Sequence, residues 1–196
     1  MSAPASTASS PISPWISRFG RLLPAGAVLD LACGTGRHAL WLASLSQNLS
    51  VLAVDRNPAA LAEINAVGVA TLQADLESGD NEALAQLFRP HRFSGVVVTN
   101  YLHRPLFPLI LDSIAAQGVL LYETFAAGNE HFGKPANPDF LLQPGELLAL
   151  LAADSDSRWH VLAYEDGFVE QPKAAMVQRI CAIKQASGVA STRRIA

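Results

Sequence analysis

Three aspartates, Asp30, Asp55 and Asp75, and the glycines Gly34 and Gly36 are the residues whose types and spacing point to chemistry. They centre on residues 27–43, A-V-L-D-L-A-C-G-T-G-R-H-A-L-W-L-A. An apolar run ends near Asp30, and Ala39, Leu40, Leu42 and Ala43 then recur at helical spacing. The glycines between them permit a turn too tight for side chains, bringing backbone close to a ligand. Such a strand–loop–helix junction offers unpaired N–H groups and a positive dipole end to an anion. Asp30, at the mouth of the strand, pairs with an ammonium while the loop amides approach a carboxylate. That double polarity describes an amino-acid tail. Asp55 lies about twenty residues past the glycines, where a carboxylate accepts both hydroxyls of a ribose. As a strand-end acid in a crevice, it is expected to matter for binding and little for ligand-free stability. Asp75 follows a third short strand. Each acid alone reads as a solvated loop residue, and the glycines alone as an ordinary tight turn. Gly34, Gly36 and Ala39 also satisfy the dinucleotide pattern G-x-G-x-x-[GA]. A nicotinamide site, however, does not require an acid at the third strand end.

The elements that must position these residues alternate along the chain. Strands are expected over 27–31, 50–54, 69–72, 95–99 and 118–123. Helices are expected from Arg37, over 58–66 with Asn57 as its cap, around 81–88, over 105–116 and over 146–152. Residues 159–164 and 174–184 form two further strands around a turn at Glu165, Asp166 and Gly167. Without a helix between them, these two must run antiparallel. In open α/β sheets the crevice lies beyond the strands' C-terminal ends. The loop after the fourth strand therefore makes Asn100, Tyr101 and His103 the candidates facing the reactive end of a ligand. Arg104 either binds an anion there or is solvated. Residues 126–144, rich in Gly, Pro and Asn yet carrying His131, Phe132 and Phe140, read as a cover over the site or as a surface excursion. Residues 14–23 form a helix that either caps the sheet or closes over the ligand with Trp15 or Phe19.

Composition bounds the rest. With 196 residues, half of them apolar and 16% charged, the chain makes one globular domain, expected over 15–185 between tails at 1–14 and 186–196. A net charge of −3 disfavours a large nucleic-acid groove. Cys33 and Cys181 form no metal spacing or disulfide framework, which fits a cytoplasmic location. No run of about 18 apolar residues is present, so no membrane span is expected. No Ser-His-Asp order, paired glycosidase carboxylates or metal cluster is evident.

The segment D-L-A-C-G-T-G, residues 30–36, resembles motif I of the class I S-adenosylmethionine-dependent methyltransferases, D-x-G-x-G-x-G, with Ala32 in place of the first glycine. With the Y-E-T-F strand end at 122–125, it looks like the bacterial branch near the tellurite-resistance methyltransferase TehB. The resemblance spans roughly residues 15–184. It implies an α/β fold: a doubly wound, seven-stranded, mostly parallel Rossmann-like sheet with an antiparallel C-terminal strand. It further implies S-adenosyl-L-methionine as cofactor, held by Asp30, Ala32, Gly34, Gly36 and Arg37 at the loop. Asp55, Arg56, Asp75, Leu76 and Asn100 would hold its nucleoside and reactive end, with Asp75 meeting the adenine amino group. His103, Tyr101 and Asn100 become the catalytic candidates, with no metal. His103 takes a proton if it acts as a base, and otherwise caps or faces water. The expected acceptor is a small molecule or a protein, and the chain a monomer or homodimer. The competing functions are an NAD(P)-dependent oxidoreductase and a non-catalytic S-adenosylmethionine-binding module. Asp30, Asp75 and the terminal hairpin favour the methyl donor.

Overall fold

The computed structural model describes residues 11–46, 48–154 and 158–186. Most of the two expected tails, residues 1–10 and 187–196, therefore lies outside the described residues. Among the described residues, seven strands form one sheet in the order β3-β2-β1-β4-β5-β7-β6. Strands β1 (Gly26–Leu31), β2 (Leu49–Asp55), β3 (Val69–Gln73), β4 (Phe93–Thr99) and β5 (Ile114–Phe125) pair in parallel. β7 (Ala175–Lys184) inserts antiparallel between β5 and β6 (Trp159–Val169). The doubly wound sheet and its terminal hairpin are those expected.

Period-two alternation sorts the strands' apolar side chains to two faces. Leu29, Val96, Val98, Leu120, Tyr122 and Ile180 pack with helices α5 (Phe107–Ser113) and α6 (Glu146–Ala153). Val28, Val97, Val119, Leu121 and Ile183 pack on the other face with α1 (Pro14–Phe19), α2 (Arg37–Leu45) and α3 (Pro58–Ala62). Helix α4 (Asn81–Leu87) completes the set. In α1, Trp15, Ile16 and Phe19 are all buried, and the Trp15 indole N–H donates to the Ile180 carbonyl at 3.3 Å. The helix is thus packed on the sheet as a cap.

Three expected boundaries move, the first being the helix drawn over 58–66, which ends at Ala62. The helix drawn over 105–116 ends at Ser113, and Ile114 already pairs with Phe93 in β5. The register then slips before Gly95 meets Val119, with Gln117 at φ 65° taking up the irregularity. The turn expected at Glu165, Asp166 and Gly167 is instead continuous β6, paired with Arg179, Gln178 and Val177. The reversal falls later, among the polar residues between Val169 and Ala175. Pairing with the long β7 outweighs the local turn preference of an Asp-Gly pair.

Candidate active site

Strand β1 delivers Asp30 to the sheet's C-terminal edge, where it is completely buried. Its Oδ2 accepts from the Ala39 amide of α2 at 2.9 Å, and its Oδ1 has no partner. Burial pushes this carboxyl up to about 7, against the opposing pull of the Ala39 N–H and the nearby Arg37 charge. An orphaned buried carboxylate oxygen is costly unless a donor arrives to meet it.

The loop is more differentiated than its sequence. Gly34 adopts φ +58°, with open space where a side chain would stand, so this is the face a ligand can approach. Gly36, at φ +73°, is different: a Cβ there would sit 2.5 Å from Ile64 Cδ1. Its missing side chain makes room for the protein's own packing. Ala32, standing where the motif has glycine, also takes a left-handed conformation at φ 53°. The backbone turn therefore survives the substitution at some cost in strain.

Asp55 ends β2 and already carries two backbone amides. Its Oδ2 accepts from Gly34 N at 2.7 Å and its Oδ1 from Asn57 N at 2.9 Å. It ties the glycine loop to the start of α3. Asp75 is exposed, with Oδ1 accepting from Glu77 N at 3.0 Å.

Two cavities flank this loop. One, of about 230 Å³, is lined by Ala32, Asp55, Arg56, Asp75, Leu76, Tyr101 and Phe140, among others. The other, of about 320 Å³, includes Arg37, Asn100, Glu123, Lys134, Lys173 and Arg179. A larger trough of about 810 Å³ between β3 and α4 touches only Asp75 of the three acids.

The three candidates after β4 are thus separated. Asn100 lines the 320 Å³ cavity, Tyr101 the 230 Å³ cavity, and His103 neither. Burial, with Glu77 and Asp75 close by, keeps the Tyr101 phenol protonated far above neutral pH, so it is no base. Chain neighbours diverge here because Asn100 adopts φ 55° and turns the backbone. Arg104 is fully engaged. It donates from Nε and Nη2 to Glu146 at 2.6 and 2.9 Å, and from Nη1 and Nη2 to the Asp139 and Leu141 carbonyls at 2.7 and 2.9 Å. These carbonyls bracket Phe140, so Arg104 seats that ring at the 230 Å³ cavity instead of binding an anion. The segment 126–144 therefore borders both cavities, with Phe140 on one and Asn129, Phe132 and Lys134 on the other.

Sequence reading missed His38, Glu123 and Arg179. His38 is buried; its Nε2 accepts from Ser13 N at 3.2 Å, which leaves Nδ1–H to donate to Thr99 Oγ1 at 3.2 Å. Burial, aided by Arg37, holds it down at about 4, neutral at ordinary pH. It joins the entry of α1 to the β4 end. Burial pushes the Glu123 carboxyl up from its usual range, opposed by Ser13 and Arg179. The Arg179 guanidinium reaches Glu123 and Glu165 at 3.4 Å each. Glu123 had a signal, an acid closing an apolar strand at the crevice edge. Burial pushes the Cys33 and Cys181 thiols up to about 12, which leaves them without nucleophilic character. Among the described residues, no cluster of three or more His, Cys, Asp or Glu suits a metal, and no helix is long and apolar enough to cross a membrane.

Residues 28–116 match the family model described as a methyltransferase domain. No curated protein matches in sequence. Among solved structures, TehB from Haemophilus influenzae superposes with a TM-score of 0.68 at 18% identity, over 90% of this chain. The chain spans 64% of the length of that relative. A SAM-dependent methyltransferase from Methanosarcina mazei gives 0.64 at 15% identity, covering 89% of this chain and 98% of its own. Phosphoethanolamine N-methyltransferase 2 from Haemonchus contortus, solved with S-adenosyl-L-methionine, gives 0.64 at 15% identity, covering 88% and 52%.

Proposed function

We propose that this chain is a class I S-adenosylmethionine-dependent methyltransferase that transfers a methyl group to a small acceptor in the 320 Å³ cavity. The observation that carries the reading is the buried, half-satisfied carboxylate of Asp30, set behind a glycine loop with a cavity on either side. That arrangement fits S-adenosylmethionine, which has an adenosine to fill one cavity, a charged amino-acid tail for the loop and a reactive methyl at the other cavity.

In this reading Asp75, Leu76, Tyr101 and Phe140 surround the adenine, and Asp55 with Arg56 meets the ribose. Asp30 receives the ammonium, Arg37 the carboxylate, and Asn100 borders the methyl group. When bound, the cofactor supplies a methyl carbon already activated by its sulfonium. The chain's own work is to align the acceptor and exclude water. His103 lines neither cavity and is no part of the glycine loop or the strand behind it, so it has no part in this assignment.

Calorimetry is expected to show saturable binding of S-adenosylmethionine and S-adenosylhomocysteine and none of NADH. Binding of NADH with no response to either sulfur nucleoside would overturn the reading in favour of an oxidoreductase.

Arg104→Ala is expected to weaken S-adenosylhomocysteine binding about tenfold, because Phe140 loses its seat. The cost to ligand-free stability is on the order of 1–2 kcal/mol, from unpaired carbonyls and Glu146. Arg104→Lys should not restore binding, since one ammonium cannot span a carboxylate and two carbonyls. Wild-type affinity in both variants would remove Phe140 from the cofactor site.

A further inference from the structure

The 320 Å³ cavity concentrates charge of one sign in a chain whose net charge has the other. Among the described residues, four Lys and Arg line it (Arg37, Lys134, Lys173 and Arg179) against a single carboxylate, Glu123. Arg179 is committed to Glu123 and Glu165. Among the described residues, no carboxylate lies within 4.0 Å of Arg37, Lys134 or Lys173. The cofactor's own carboxylate accounts for Arg37, which leaves the two lysines.

These lysines come from separate segments that the fold holds together. The buried Asn129 donates from Nδ2 to the Pro135 carbonyl at 2.9 Å, and its Oδ1 accepts from Met176 N at 3.2 Å. It thereby fastens the loop carrying Lys134 to the start of β7, just past Lys173. Lys173 Nζ lies 3.5 Å from the place a side chain would occupy at Gly133. Two exposed ammonium-bearing segments are thus packed side by side along the cavity, an arrangement that attracts an anion. Part of the cavity's lining is an apolar wall, formed by Phe125, Phe132, Val169 and Val177. Phe132 is itself held against Phe168, with ring centroids 4.9 Å apart. A bare inorganic oxyanion would leave this wall and most of the volume unused, since cavities of about 300 Å³ and above suit organic ligands.

We infer that the acceptor is an organic molecule with an apolar body and an anionic group, a carboxylate or phosphate, held by Lys134 and Lys173. This rests on the methyltransferase reading. The acceptor's nucleophilic atom, placed beside Asn100, forms its bond to the methyl carbon as the carbon–sulfur bond breaks. The bonding pair stays on sulfur, and the proton the nucleophile sheds passes to the carboxylate of Glu123.

The test uses the full chain saturated with S-adenosylhomocysteine, whose binding is measured first. Failure there ends the methyltransferase reading itself. Benzoate, phenyl phosphate, phenethylamine and inorganic phosphate are then titrated by calorimetry. At least one of the two organic anions should bind at least tenfold tighter than phenethylamine and than inorganic phosphate. The double variant Lys134→Gln/Lys173→Gln should lose that binding about tenfold while keeping wild-type affinity for S-adenosylhomocysteine, and Lys134→Arg/Lys173→Arg should retain it. The proposal is overturned if neither organic anion binds, if phenethylamine or inorganic phosphate binds as well, or if the glutamine variant binds unchanged.

Discussion

Asp30→Asn makes the ligand-free protein more stable above pH 7 and a poorer binder of S-adenosylhomocysteine. The opposing signs follow from one buried carboxylate. In the unfolded chain this acid titrates near 3.8, and in the fold burial raises it to about 7. Between those values the folded state binds more protons, so stability falls as pH rises through that window and levels off above it. Three pKa units correspond to a cost on the order of 3–5 kcal/mol for the ionised form. Asparagine keeps an oxygen for the Ala39 N–H and removes the charge. Part of the gain is lost because its amide must still be desolvated, so about 1–3 kcal/mol should remain at pH 8, read as a higher Tm. His38 works in the reverse sense: with its folded value held down at about 4, its contribution is present at neutral pH and is lost as pH falls through 6.5 toward 4. The difference between wild type and variant across pH cancels this and isolates Asp30. Binding should weaken on the order of 10–100-fold, since the ligand's ammonium loses a charged partner. In the wild type, the heat of binding below pH 7 should depend on the buffer, because the arriving ammonium expels a proton. A variant destabilised at pH 8, with binding intact, would make the ionised carboxylate a structural requirement.

Asp55→Ala should damage both the empty and the liganded protein. Sequence reasoning expects a crevice acid whose loss spares the ligand-free fold. The structure corrects this, because the carboxylate already accepts from Gly34 and Asn57. Removing it leaves two backbone donors without partners and frees the loop, at a cost on the order of 1–3 kcal/mol in ligand-free stability. Affinity for S-adenosylhomocysteine should drop about a hundredfold or more, because the ribose loses its acceptor and the loop its preorganised shape. Asp55→Asn offers one acceptor oxygen in place of two and should fall between. Thermal unfolding and calorimetry on the same samples separate the two losses. Affinity within threefold of wild type would place the ribose elsewhere.

Elements and cofactor class were legible in the residue order because they are written in short-range patterns. Alternation within Val96, Val97 and Val98 assigns opposite sides of a sheet, and Ile180 and Cys181 repeat it. A glycine loop after a strand, with acids closing three successive strands, names a charged nucleoside ligand. A final strand pair without a helix requires an antiparallel hairpin. Where local preference misled, at Ile114 and at Asp166, pairing with a neighbouring strand prevailed.

What only the tertiary structure decided is which loop residues meet. Tyr101 parts from Asn100 because of one backbone turn, and Arg104 is consumed by a segment 35 to 42 residues away. Gly36 serves Ile64, a contact invisible in the loop itself. The cationic cavity draws Arg37, Glu123, Lys134, Lys173 and Arg179 from four separate stretches of chain. Periodicity records how each element buries its apolar face. It carries no record of which polar ends the crossovers bring together, because those meetings depend on strand order and register.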